Sequence, residues 1–236
     1  MGGLNKVNQV MEIINQSKID DEIIDYLEVG GLDLSFSDLS ELRADRVMAV
    51  GTNFRASSLI RASLRDCEFD EANLENCNLE EADIADCILS KANLRKAQMN
   101  YAEIKISTCV ETCFDEVEFA NGNLSGTTFI QATFRQANLT RINAQEAFFD
   151  EAILSGAILI DGNFDGSDFI NANLSEADAR NASFAGANLT GAILCNGNFQ
   201  GADFTNAKLD GVVWKGANIE SAKFDGTTKE EILQQL

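Results

Sequence analysis

The chain has 236 residues, 38 acidic against 18 basic, a formal net charge of −20, and neither histidine nor proline. Without histidine there is no histidine-based triad, general base or histidine-held metal, and the net charge has the wrong sign for direct nucleic-acid binding. No run of about 18 apolar residues marks a membrane span and no charged leader precedes a small-residue cleavage site, so the expectation is a soluble, cytoplasmic chain.

Residues 1–31 read as an N-terminal helical cap. Leu4, Val7, Val10, Met11 and Ile14 fall at helical spacing. Ile23, Ile24 and Leu27 follow Asp20-Asp21-Glu22, and Gly30-Gly31 would stop a second helix there. Two short helices are therefore expected over the start of the next unit.

Residues 32–226 carry a period of five. Every fifth position from Leu34 to Phe224 is apolar or small, about 39 times without an insertion. A second small residue, usually Ala, Cys, Ser, Thr or Gly, sits two positions earlier. Five is neither the helical period nor the strand period. A chain with this period must turn once per repeat and point two residues of each five inward. Four turns close a square coil of about 20 residues, and coils stack as a solenoid. With stacked strands about 4.8 Å apart, nearly ten coils make a rod roughly 45 Å long.

The exceptions support that assignment. Where the central residue shrinks to Ala44, Ala49 or Ala144, the position two before it grows to Leu42, Val47 or Ile142. Volume is traded inside one core. A spacing of 20 also predicts aromatic columns, Phe164-Phe184-Phe204-Phe224 on one face and Phe129-Phe149-Phe169 on the next. Charged turn residues such as Glu71, Glu81 and Lys91 give way to Gly and Asn later in the chain, which predicts type II turns towards the C-terminal end and other types earlier. Cys67, Cys77 and Cys87 take the small inward position and Cys109 a central one, while Cys113 and Cys195 point outward; reduced packing roles are expected. Residues 227–236 read as a C-terminal cap helix, with Thr228 and Glu231 as a capping box and Lys229 to Leu236 helical. Each cap would cover an open strand edge.

The unit Ala-(Asn/Asp)-Leu-x-x, as in Ala72-Asn73-Leu74, Ala92-Asn93-Leu94, Ala137-Asn138-Leu139, Ala172-Asn173-Leu174, Ala187-Asn188-Leu189 and Ala202-Asp203-Phe204, resembles the pentapeptide-repeat family. The resemblance covers about four-fifths of the chain and implies an all-β solenoid, a right-handed quadrilateral β-helix of about ten coils with short α-helical caps at both termini. Long loop-free members with Asn- and Asp-rich repeats are abundant in cyanobacteria, and this chain is similar to them. Some members of the family resemble B-form DNA in shape and charge and bind DNA gyrase.

No catalytic, cofactor or metal residues are expected. The cysteine spacings match no zinc site, no phosphate-binding glycine loop appears, and surface carboxylates on a smooth rod lack a cleft to shift their pKa. Two surface features are candidates for a partner. The first is an acidic coil with no basic residue between its members: Asp66, Glu68, Asp70, Glu71, Glu75, Glu80, Glu81, Asp83 and Asp86. The second is a set of apolar residues one before the centre, where solvent is expected: Phe148, Ile153, Ile158, Ile193 and Val213. Ile153, Ile193 and Val213 should share a face, with Phe148 and Ile158 flanking it. A further series, Arg55, Glu75, Arg95, Asp115 and Arg135, should stack with alternating sign and specify register. The function expected is a non-enzymatic protein-binding scaffold, a rigid acidic rod presenting flat faces to an unidentified protein partner. The alternative, implied by the family resemblance, is a DNA mimic that regulates DNA gyrase or topoisomerase. Direct nucleic-acid binding and membrane association are not expected; the chain should be a monomer, or a dimer through its C-terminal helix.

Overall fold

The computed structural model describes residues 2–225 and 232. Helix α1 (Gly2–Asp20) opens the chain. It buries Val10 and Ile14 against the first coils and leaves Ile13 and Ile19 exposed. Lys18 Nζ ties it to the Asp38 carbonyl at 3.0 Å, and Asp21, at φ 55°, turns the chain out of it.

The second expected helix does not form. Ile24 bridges Ala44 in parallel register, and β1 (Leu27–Glu28) pairs with β3 (Val47–Met48). Burial decides this. Ile24 and Val29 stand at the central positions of the five-residue frame, and both are buried. A helix could not keep both inside and also cover the open edge of the following coil.

From there the register is 20 residues throughout. β2 (Arg43–Asp45), β4 (Ser63–Arg65), β5 (Asp83–Ala85) and β6 (Glu103–Lys105) form one parallel four-stranded sheet. Parallel bridges continue the same offset to Asp203↔Lys223.

The repeat unit follows from satisfying its backbone donors. Around the central residue Phe54, the amide before the centre bonds the coil below, Asn53 N–H to Leu32 O at 2.9 Å, and the central amide bonds the coil above, Phe54 N–H to Asn73 O at 2.7 Å. The amide two after the centre also bonds upward, Ala56 N–H to Glu75 O at 2.9 Å, and the next one closes the turn, Ser57 N–H to Phe54 O at 2.9 Å. One donor is left over, directly after the centre. An Asn or Asp just before the centre accepts it: Arg55 N–H to Asn53 Oδ1 at 3.2 Å, Glu75 N–H to Asn73 at 3.2 Å, Arg95 N–H to Asn93 at 3.1 Å. The amides of these asparagines also ladder between coils, Asn53 to Asp33 at 2.8 Å and Asn73 to Asn53 at 3.1 Å. That is the physical reason for the Asn/Asp in the motif.

The turns differ from expectation. Positive φ at the position two after the centre occurs along the whole rod, at charged residues (Glu41, 61°; Lys91, 61°) as at Gly191 (73°). The later glycines relieve strain at corners that all have this shape. One column of corners near the N-terminus differs in how its closing amide is satisfied. After Ala44, Leu64, Ile84 and Ile104 the turn bond is missing, and the amide donates instead to the inward side chain of the next coil: Val47 to Cys67 Sγ at 3.3 Å, Cys67 to Cys87 Sγ at 3.3 Å, Cys87 to Ser107 Oγ at 3.1 Å, Ser107 to Thr127 Oγ1 at 3.4 Å. The thiols and hydroxyls of this column thus act as backbone acceptors. All six cysteines are free, and burial pushes the Cys77 thiol up to about 12.

The centres form one continuous core. Leu42, Val47 and Ile142 are buried beside the small centres they compensate. The aromatic columns form as expected, with near-parallel rings: Phe129–Phe149 at 5.1 Å, Phe149–Phe169 at 4.8 Å, Phe164–Phe184 at 5.1 Å and Phe204–Phe224 at 5.2 Å. Adjacent columns meet edge to face, as Phe134–Phe149 at 5.9 Å. Glycine extends the volume trade: a Cβ on Gly162 would come within 2.7 Å of the Phe164 ring, and one on Gly197 within 2.5 Å of Phe199. The expected C-terminal helix, including Thr228 and Glu231, lies outside the described residues apart from Ile232, which is helical and buried in the core.

Candidate functional site

The square section gives four flat faces, referred to by early centres: the Leu34, Leu39, Ala44 and Ala49 faces. Successive coils place residues 20 apart in one column.

The acidic coil does not form a face. Glu68, Asp70 and Glu71 lie on the Ala49 face and its corner, Glu75 on the Leu34 face, Glu80 and Glu81 on the Leu39 face, and Asp66, Asp83 and Asp86 on the Ala44 face. They make a belt around the rod. The sequence has no base among them, but stacking brings bases from neighbouring coils: Arg55 reaches Glu75 at 3.4 Å, and Arg65 and Lys105 reach Asp83 at 4.0 and 3.7 Å. A partner approaching from one side meets only part of the belt. Over the whole rod, the Leu34 face carries as many basic as acidic side chains, whereas the other three carry an excess of acid.

The alternating charge series stacks on the Leu34 face, though not at every step. Arg55–Glu75 forms, and Arg135 reaches Asp115 at 3.3 Å. Arg95 turns to the corner residue Glu116, which Lys96 also reaches at 3.4 Å. Arg95, Asp115, Glu116 and Arg135 line an open groove on this face. The arginines and Lys96 are exposed and their acidic partners half-buried, so each pair is worth little individually. Among the described residues, no group of Cys, Asp and Glu is arranged to hold a metal ion, and no helix is long and apolar enough to cross a membrane.

The apolar set divides over three faces. Ile153, Ile193 and Val213 share a column on the Leu34 face, with Asn173 between the first two. Phe148 sits round one corner on the Ala49 face and Ile158 round the other on the Leu39 face. Phe148, Ile158, Ile193 and Val213 are exposed and Ile153 is half-buried. Each occupies the position from which Asn or Asp would accept the left-over amide, so each gives up that hydrogen bond.

A second column runs one residue after the centre on the Ala49 face: Val50, Asp70, Ser90, Val110, Ile130, Asp150 and Ile170. Val50 is exposed and the rest are half-buried. Ile88 and Phe148, both exposed, stand beside them. The signal was available in the same spacing of 20. Asp150 Oδ1 is buried with no hydrogen-bond partner. Burial pushes its carboxyl above the usual range, and the neighbouring Asp168 carboxylate adds to the shift. Burial also raises Asp70. Elsewhere the shifted aspartates go down: Ser40 holds Asp38 low, and Thr205, aided by Lys223, holds Asp203 low.

Comparison with known proteins agrees with this architecture. The profile of pentapeptide repeats matches in eight copies, which together cover residues 33–105 and 112–228. No curated protein matches. Among solved structures, the chain is similar to HetL of the cyanobacterium Nostoc sp. strain PCC 7120, described as a pentapeptide repeat protein involved in heterocyst differentiation regulation, at 21% identity over 86% of this chain and 91% of that one, with a TM-score of 0.53. It is also similar to QnrB1, a plasmid-mediated fluoroquinolone resistance protein, at 19% identity over 90% and 96% of the two chains, with a TM-score of 0.47. A pentapeptide repeat protein of the Arabidopsis thaliana thylakoid lumen matches at 33% identity over 38% of this chain and 63% of that one, with a TM-score of 0.38. With the repeat matched over most of its length on a backbone of stacked 20-residue coils, the chain belongs to the pentapeptide-repeat family.

Proposed function

We propose that the chain is a non-enzymatic protein-binding scaffold, a rigid acidic rod that works by presenting its faces to a protein partner. The observation that carries this reading is the run of apolar residues at Phe148, Ile153, Ile158, Ile193 and Val213. Each replaces the residue type that would satisfy a backbone amide, at a cost of about 0.5–1.5 kcal/mol. Folding alone favours asparagine there; contact with another protein favours Ile, Val or Phe. The right-handed winding and about ten coils implied by the family supply the stiffness, and a cytoplasmic location suits the six thiols.

The test is photo-crosslinking in the source cells, with the crosslinking residue placed singly on each face, at Gln145, Thr128, Ser155 and Thr140. One protein captured from one face supports a scaffold. Equal labelling from all four faces, or none, overturns it. The DNA-mimic reading, with DNA gyrase as partner, is supported by the net charge of −20. It ranks second because the densest acids encircle the rod instead of tracking its axis. Titration into a gyrase supercoiling assay at two salt concentrations decides it: inhibition that fades with salt would move it to first place.

A further inference from the structure

We propose that the Ala49 face between Ile88 and Ile170 docks a basic amphipathic helix of a partner protein, its aliphatic side chains lying on Ile130, Phe148 and Ile170 and one lysine or arginine meeting Asp150. This deepens the scaffold reading and rests on it.

Three observations converge on that occupant. First, apolar residues recur along the axis, interrupted in their column by Asp150, with Phe148 beside it. Val110, Ile130 and Ile170 stand in one column with Asp150 between the last two, since Gln131 N–H bonds Asp150 O and Glu151 N–H bonds Ile170 O from coil to coil. Phe148 and Ile88 widen the strip. Three steps of about 4.8 Å span about 14 Å, close to three turns of an α-helix. Second, Asp150 sets a half-buried carboxylate inside the strip: its Oδ1 is shielded and without a hydrogen-bond partner, backbone amides of Asp150 and Ile170 act on the group, and a docked cation would pair with it from the solvent side. A group held this way gains most from a cation that arrives with its own dry surroundings. Third, the rim is acidic, with Glu68, Asp70, Glu71, Glu111, Glu151 and Asp168 against Lys91 and Lys208. A second copy meeting face to face would set these acids against themselves, because a two-fold contact repeats the same patch on both sides. A basic helix meets the same rim with opposite charge.

The probe is a fluorescein-labelled helical peptide of about 14 residues with leucine on one face and lysine on the other, read by fluorescence anisotropy, with a leucine/glutamate peptide as counterpart. Asp150→Asn should weaken binding of the leucine/lysine peptide at least fivefold, and Ile170→Ser by about tenfold. Ile193→Ser, on the neutral Leu34 face, should leave it unchanged, and the glutamate peptide should not bind. Circular dichroism melts confirm that each variant is folded. Absent binding, or equal binding by all variants, overturns the proposal. So does dimerisation in sedimentation that Phe148→Asp abolishes, since the face would then belong to a second copy. The crosslinking experiment separates the two levels: an adduct from Ser155 but not Thr128 keeps the scaffold and refutes this face, whereas no adduct anywhere refutes both.

Discussion

Phe149→Ala tests the packing of the rod where it is densest. The Phe149 ring is fully buried. It stacks between Phe129 at 5.1 Å and Phe169 at 4.8 Å, and meets Phe134 and Phe164 edge-on at 5.9 and 6.2 Å. Truncating a buried Phe costs about 3–5 kcal/mol, depending on how far the site collapses. Collapse is restricted here, because hydrogen bonds to the coils on either side fix the backbone: Phe149 N–H to Asp168 O at 2.6 Å and Phe129 N–H to Phe148 O at 2.6 Å. The expected loss is therefore near the top of the range, about 4–5 kcal/mol. Phe149→Leu fills most of the volume but loses the ring geometry, and should cost about 1–2 kcal/mol. Urea unfolding followed by circular dichroism measures both. In a stack of coils joined only to their neighbours, the Ala variant should also split the transition, with one half of the rod melting before the other. An Ala variant that loses less than about 2 kcal/mol, or a Leu variant that loses as much as Ala, would refute a core held by close ring packing.

Three other substitutions probe separate parts of the argument. Asn73→Ala removes the acceptor of the Glu75 amide and a rung to Asn53, and should cost about 1–2 kcal/mol in the same urea assay. Gly162→Ala should destabilise by about 1–3 kcal/mol despite the higher helical and strand propensity of alanine, because the new methyl meets the Phe164 ring; unchanged thermal stability would show that the ring has room to move. Asp150→Asn should stabilise the rod at neutral pH, by less than about 1 kcal/mol after solvent screening. The sign follows from the raised carboxyl: its stabilising, protonated form is fully present below the ordinary carboxylate pKa and is lost as pH rises through the higher folded value. The advantage of Asn should thus shrink at acid pH, and a gain independent of pH would mean that the carboxylate is not held in a strained, apolar setting.

Much of this was legible in the sequence because one spacing controls two levels of structure. The period of five placed the centres inside, and its fourfold multiple placed the aromatic columns. The same frame would also have corrected the N-terminal cap. Counting back from Leu34 reaches Val29 and Ile24, both buried centres, whereas the helical spacing of Ile23, Ile24 and Leu27 drew attention away from them. Gly30-Gly31 suggested a helix stop and instead forms an ordinary corner, with Gly31 at φ 68°. Turn shape was not legible from turn residues, since the ladder imposes the same positive φ on Glu41 and on Gly191. The acids of residues 66–86 looked unopposed because sequence neighbours are not spatial neighbours in this fold; the bases that reach them come from Arg55, Arg65 and Lys105. The apolar column through Ile130 and Ile170 is less legible because the motif constrains the residue before the centre, which holds the amide acceptor, and leaves the one after it variable.

The unbroken offset of 20 has a mechanical consequence. Nearly every inter-strand hydrogen bond joins a residue to a carbonyl one coil away, so each coil is held by its two neighbours and by nothing more distant. Pulled from its ends, such a rod should yield coil by coil, each event releasing about 20 residues, or about 70 Å of extended chain. The molecule is built like a spring whose turns are glued edge to edge, stiff while the glue holds and extensible in equal increments once an end turn lets go. What covers the first and last turns therefore governs the load the whole length can bear.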